Sequence, residues 1–133
     1  MTLLRTLLAT LLAALPLFAG AEDRPAPTVV TGKDADGKVT LKKGGTLLVK
    51  LEGQAGTGFT WVVVKNDEKV LEPAGKPTAE KIDKTPKLGG KELVIHRFTA
   101  AGAGETILEL HYKRPFEKGK APARKFSITV TVQ

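Results

Sequence analysis

The feature of this 133-residue sequence that most restricts its fold is a two-residue alternation of apolar and polar side chains. It is clearest over residues 46–52, 105–113 and 124–133, and glycine or proline turns separate such segments at intervals of roughly ten residues. Successive side chains of a strand point to opposite faces of a sheet, so each segment predicts a strand with one buried face. No segment shows the helical period of about 3.6 residues. The sequence therefore predicts an all-β fold, an immunoglobulin-like β-sandwich of about seven antiparallel strands.

The sequence contains no cysteine, so no disulfide can join the two predicted sheets. Packing alone must hold them together, and Trp61, the only tryptophan, is predicted to lie centrally in the core. The same absence excludes thiol catalysis and thiolate metal sites.

The first part of the chain has the pattern of a targeting segment. Residues 1–21 contain one positive charge at Arg5, an apolar run over residues 7–18, and small residues at 19–21. This pattern is typical of a secretory signal peptide, and the apolar run is too short to span a membrane. We expect an exported protein, periplasmic or secreted, with no membrane contact after removal of this segment.

The remaining chain divides into two unequal parts. Residues 22–37 form a predicted flexible lead-in that includes a candidate edge strand at 28–31 and a turn. Residues 38–133 form the predicted immunoglobulin-like domain, which is long enough for one hydrophobic core. We expect this domain to be a monomer.

The residues that commonly perform catalysis do not form a catalytic arrangement. Ser127 is the only serine and lies within a predicted strand, not on a strained turn. His96 and His111 lie in separate strands without a metal-ligand spacing; we expect His96 to be half-buried with a hydrogen-bond partner and His111 to be solvated. Asp34 and Asp36 are interpreted as turn formers. The sequence therefore predicts no enzyme, no metal and no cofactor.

The formal net charge of +7 bears on which classes of partner the protein could bind. The basic residues are spread along the chain, and the aromatic residues alternate within strands without forming a stacking platform. This distribution argues against nucleic-acid binding. It is compatible with a solvated surface, or with electrostatic steering towards an acidic protein partner.

Three loops carry the residues that the strand pattern does not explain. They span residues 53–58, 86–91 and 114–123. The strands that precede these loops are separated from one another by one return of the chain. Because alternate loops of an antiparallel sandwich lie at the same end, we expect all three loops there. Loops on a rigid sandwich commonly carry recognition. The sequence therefore predicts a composite binding surface at one end of the domain.

The three loops resemble the signature loops of the chagasin-type inhibitors of cysteine peptidases. The motifs are Gly56-Thr57-Gly58-Phe59-Thr60-Trp61, Leu88-Gly89-Gly90-Lys91-Glu92 and Tyr112-Lys113-Arg114-Pro115-Phe116. In the family the first loop usually reads Asn-Pro-Thr-Thr-Gly-aromatic, and here Gln54, Ala55 and Gly56 replace its first three residues. The second loop usually has a further glycine where Lys87 stands, and the third usually ends in tryptophan where Phe116 stands.

This resemblance implies reversible inhibition of papain-like cysteine peptidases. In such inhibitors the three loops form a wedge across the active-site cleft, with the first loop near the catalytic cysteine and histidine and the other two on either side. The residues that it assigns to peptidase binding are Gly56, Thr57, Gly58, Phe59, Leu88, Gly89, Gly90, Arg114, Pro115 and Phe116. The alternative is an immunoglobulin-like periplasmic or surface module that binds another protein or a glycan through the same loops.

Overall fold

A computed structural model describes residues 26–82 and 90–133, which form nine strands and a short 3-10 helix at Gly32–Asp34. The predicted signal peptide and residues 22–25 of the predicted lead-in lie outside the described residues, so the signal peptide stays a prediction. The strands are β1 (Thr28–Thr31), β2 (Lys38–Leu41), β3 (Thr46–Gln54), β4 (Thr60–Lys65), β5 (Leu71–Pro73), β6 (Thr78–Lys81), β7 (Lys91–Ala100), β8 (Gly104–Lys113) and β9 (Arg124–Val132).

The strands form two sheets. One has the order β1-β3-β7-β5, with β6 also paired to β7, and the other has the order β2-β9-β8-β4. The seven strands from β3 to β9 all pair antiparallel, which confirms the predicted sandwich. The two short N-terminal strands differ: β1 pairs parallel to β3, and β2 pairs parallel to β9.

The segment from β1 to β2 crosses from one sheet to the other. Its turn begins with a capping box, in which the Thr31 hydroxyl accepts from the Lys33 amide and the Asp34 carboxylate accepts from the Thr31 amide. The turn is then fixed to β9, because the Asp36 amide donates to the Ser127 carbonyl at 2.6 Å. The chain also reverses direction at this turn: β1 runs in the direction of β3, and β2 then runs back in the direction of β9.

The core lies between the sheets and consists of the side chains that the alternation predicts to face inward. Trp61 is 5% exposed and belongs to this core, as predicted. Each large apolar side chain buried in this way stabilises the fold by about 1.5–3 kcal/mol. The most deeply buried members are Leu47, Val49, Leu71, Phe98, Leu108, Leu110, Phe126, Ile128 and Val130.

The irregular region after residue 70 contains two short strands, not a helix. Both β5 and β6 pair with β7, and the prolines at positions 73 and 77 are compatible with short edge strands but not with a long helix. Within residues 26–82 and 90–133, no helix is long and apolar enough to cross a membrane.

The strand registers bring three connections to the same end of the sandwich. Gln54 at the end of β3 pairs with Lys91 at the start of β7, and Thr60 at the start of β4 pairs with Lys113 at the end of β8. Tyr112 in turn pairs with Arg124 at the start of β9. We call this end, formed by residues 55–59, Gly90 and residues 114–123, the loop pole.

Candidate functional site

The first loop is a tight turn whose hydroxyl group bonds within the loop. Gly56 and Gly58 have φ angles of 78° and 82°, a region that favours glycine. Between them, the Thr57 hydroxyl donates to the Gln54 carbonyl at 2.9 Å and accepts weakly from the Phe59 amide at 3.4 Å. Thr57 is therefore half-buried, and its side chain stabilises the turn instead of projecting freely from it.

An aromatic stack supports this loop from below. The ring of Tyr112 contacts the ring of Phe59, at a centroid distance of 5.3 Å, and the ring of Trp61, at 5.1 Å. The Tyr112 hydroxyl accepts from the Gln54 amide at 2.9 Å, which ties β8 to the end of β3. A Cβ at Gly53 would lie 3.3 Å from the Tyr112 ring, so glycine leaves room for this contact.

Arg114 joins the third loop to the first. Its Nε donates to the Thr57 carbonyl at 3.0 Å, and its guanidinium lies 4.5 Å from the centroid of the Phe59 ring. Its Nη1 lies 3.3 Å from a carboxylate oxygen of Glu117, which also pairs with Lys120 at 2.8 Å. The Lys120 hydrogen bond, together with Arg114, lowers the pKa of Glu117.

Phe116 is the most exposed large apolar side chain among the described residues, at 71%. A Cβ at Gly58 would lie 3.2 Å from the Phe116 ring, so the ring stands directly beside the first loop. An exposed aromatic ring that lies against a neighbouring loop is suited to serve as an interface anchor. Pro115, just before it, is also exposed.

The second loop reaches the first through Gly90. The Ala55 amide donates to the Gly90 carbonyl at 2.9 Å, so the two loops are hydrogen-bonded where β7 begins. Leu88 and Gly89, also predicted to bind the peptidase, lie outside the described residues. The described candidate residues thus meet at one end: Gly56, Thr57, Gly58 and Phe59 with Gly90, Arg114, Pro115 and Phe116.

The two histidines are used in the fold. His96 is buried, and its Nε2 donates to the Trp61 carbonyl at 3.1 Å, which joins β7 of one sheet to β4 of the other and confirms the predicted partner. Burial lowers the pKa of His96 from 6.5, although this hydrogen bond acts in the opposite direction.

The prediction that His111 is simply solvated was wrong. It lies on the outer face of β8, where residues two apart are neighbours, and its Nε2 is 2.6 Å from the Glu109 carboxylate. The pair leaves the His111 side chain only 19% exposed. Within the described ranges, no group of three histidine, cysteine or acidic residues is placed to hold a metal ion.

Several residues that hold the site together were not among the predicted site residues. Arg124 stacks on Tyr112 at 4.3 Å, and its Nη2 donates to the Glu52 carbonyl at 2.9 Å. Glu117 fixes Arg114 as described. Sequence periodicity contains no signal for these roles. The role of Arg124 depends on contacts with residues far away in the chain, and that of Glu117 on a side chain that turns back to Arg114.

Comparison with known protein families decides the identity. The family model described as chagasin family peptidase inhibitor I42 matches residues 40–130. The chain belongs to the chagasin family of peptidase inhibitors. Membership confirms the predicted family, and it confirms that the chain is not an enzyme, because members of the chagasin family are peptidase inhibitors.

Solved structures show the chagasin-family fold in similar form. The cysteine protease inhibitor EhICP2 from Entamoeba histolytica superposes with a TM-score of 0.71 at 20% identity, covering 80% of this chain and 96% of that one. Amebosin superposes with a TM-score of 0.63 at 25% identity, covering 82% of this chain and 100% of that one. PbICP-C, solved in complex with falcipain-2, superposes with a TM-score of 0.52 at 24% identity, covering 84% of this chain and 92% of that one. No curated protein sequence matched.

Proposed function

We propose that this chagasin-family protein is a reversible inhibitor of papain-like cysteine peptidases that blocks the active-site cleft with the loop pole. The observation that carries the proposal is the hydrogen bonding among the three loops: Arg114 to Thr57, and Ala55 to Gly90. A surface whose parts are fixed to one another loses little conformational entropy when it docks. The proposal assigns the first loop, Gly90 and neighbouring second-loop residues, and residues 114–116 to peptidase contact.

The first loop is suited to approach a nucleophile without being cleaved. Gly56 and Gly58 have no side chain, so the backbone between them can come close to a cysteine thiolate. The loop is also closed on itself by the Thr57 hydroxyl and held by Arg114, so it resists the extended conformation that a peptidase cleaves. Inhibition is therefore reversible and leaves the chain intact.

The third loop supplies an apolar contact beside the cleft. Phe116 is exposed and rigidly placed, and aromatic side chains of this kind dominate interface energies. The charge of Arg114 is used within the loops, so its contribution to binding is to position Thr57 and Phe59. The complex of the similar PbICP-C with falcipain-2 supports a cysteine peptidase as the class of partner.

The direct experiment is an inhibition assay with the chain expressed from residue 22. The chain is titrated against papain, and residual hydrolysis of a peptide substrate is measured at several substrate concentrations. We expect competitive and reversible inhibition at or below micromolar concentration, and no inhibition of trypsin, whose nucleophile is a serine. Full papain activity at micromolar inhibitor would contradict the proposal.

Export to the periplasm or the medium is a further part of the proposal. It is supported by the charged, apolar and small-residue segments of residues 1–21. Mass spectrometry of the protein secreted by a Gram-negative host should find a chain beginning at Glu22. A chain retained in the cytoplasm with its first residues intact would argue against export.

A further inference from the structure

A cleft separate from the loop pole opens on the side of the sandwich where β1 ends and β2 begins. β1 covers β3 only along Leu47–Lys50, and β2 covers β9 only along Thr129–Val132. The ends of β3 and β9 nearest the loop pole therefore have no strand beside them on this side. Between them, beneath the 3-10 turn, lies a cavity of about 730 Å³, a size typical of ligand sites.

The wall of this cleft combines an apolar floor with a cationic rim. Leu51, Trp61 and Phe126 form the floor. The charged residues of the rim are Lys33, Lys50, Arg124 and Lys125, with Glu52 as the single carboxylate. The three ion pairs found within the described ranges include none of these rim residues, so the excess positive charge is not neutralised internally.

The strand edges in the cleft are partly occupied by hydrogen bonds within the domain. The Glu52 carbonyl already accepts from Trp61 Nε1 at 3.0 Å and from Arg124 Nη2. On the opposite wall, the Ser127 carbonyl accepts from the turn. These bonds interrupt both edges, which favours recognition of an occupant by its side chains over backbone pairing of the kind used in strand addition.

The rim and floor together define the chemistry of the occupant. Four cations against one carboxylate favour an acidic partner, and the apolar floor favours interspersed aliphatic side chains. Because Trp61 and Phe126 are only 5% and 2% exposed, the floor offers small apolar contacts that aliphatic side chains can use, but no free ring face on which a nucleic-acid base could stack. We propose that this cleft binds an acidic peptide segment of a partner protein, with carboxylates on Lys33, Lys50 and Lys125 and aliphatic side chains against the floor. The site does not depend on the proposed inhibition.

Trp61 makes the proposal directly testable, because it is the only tryptophan and lies in the floor. The chain expressed from residue 22 is titrated with a short acetylated peptide of alternating glutamate and leucine, and Trp61 emission is followed. We expect a saturable change that weakens as salt is raised, and no change with the matching lysine and leucine peptide or with sodium acetate.

A pair of charge-reversal variants decides the location. K33E/K125E should weaken peptide affinity by about tenfold or more, whereas K43E/K69E, which makes the same change of charge at the opposite end of the sandwich, should alter it less than about twofold. Circular dichroism checks that both variants fold. Equal losses in the two variants, an equal response to acetate, or no emission change would each overturn the proposal.

Discussion

The guanidinium of Arg114 and the backbone of Thr57, 57 residues apart in sequence, are joined by a hydrogen bond of 3.0 Å. Through this bond the third loop fixes the tip of the first. The Arg114 side chain also covers the ring of Phe59, so one residue positions both the turn and its aromatic support. Arg114 is thus a positioning residue of the loop pole.

This relationship predicts that arginine cannot be replaced by lysine at position 114. R114K keeps the charge but loses the Nε donor to Thr57 and the planar contact with Phe59. We expect the inhibition constant for papain to rise about tenfold, with a change in unfolding free energy below about 1 kcal/mol because the pair with Glu117 lies at the surface and is partly exposed. An unchanged inhibition constant would mean that charge alone, and not loop positioning, is the role of this residue.

A second prediction separates two effects of adding a side chain at position 58, namely contact with the Phe116 ring and strain of the backbone. Gly58 and Gly75 have nearly equal φ angles of 82° and 84°, but a Cβ at Gly58 would meet the Phe116 ring, whereas one at Gly75 would meet nothing within 4 Å. G58A and G75A should each lose about 1 kcal/mol of stability by chemical denaturation. Only G58A should also raise the inhibition constant, since it displaces Phe116; equal inhibition constants would refute this contact.

A third prediction concerns the Thr57 hydroxyl. T57A removes the donor to the Gln54 carbonyl and should loosen the first loop, weakening inhibition by about 1 kcal/mol, or roughly fivefold. T57S keeps the hydroxyl and should retain most of the affinity. If T57S is as weak as T57A, the methyl group contacts the peptidase and the internal hydrogen bond is not what matters.

The sequence predicted the fold more fully than the site, for a physical reason. Phe126, Ile128 and Val130 face inward because strand periodicity is local, and local patterns can be read from neighbouring residues. The orientation of Arg114 and the stacking of Arg124 on Tyr112 depend on contacts across 57 and 12 positions in the chain. The three-loop resemblance indicated which residues to examine, but it did not indicate that Thr57 bonds within its own loop.

The sequence pattern also could not predict that β1 pairs parallel to β3 and β2 parallel to β9. Alternation identifies a strand but not its neighbour, and the crossing over Gly32–Gly37 is fixed by hydrogen bonds from this turn to β9. The pair of His111 with Glu109 was recoverable in principle, because residues two apart in a strand share a face.

A fourth prediction follows from His96. Burial lowers its pKa in the folded state below 6.5, so the unfolded chain binds a proton more readily. Its contribution to stability is fully present above about pH 6.5 and is lost as the pH falls through the folded-state pKa. The melting temperature should therefore fall between about pH 7 and about pH 5. H96Q should flatten this dependence and H111Q should retain it; a fall that persists in H96Q would assign it to other groups.

The measurement that tests the central claim most directly is the inhibition constant for papain of F116A beside that of I107A. Both variants truncate an exposed apolar side chain, but Phe116 lies at the loop pole, while Ile107 lies six residues before the end of β8, roughly 20 Å away by strand rise. We expect F116A to weaken binding by about 1–3 kcal/mol and I107A by less than about 0.5 kcal/mol, with both melting like the parent chain. Equal inhibition constants for the two variants would contradict a peptidase-blocking surface at the loop pole.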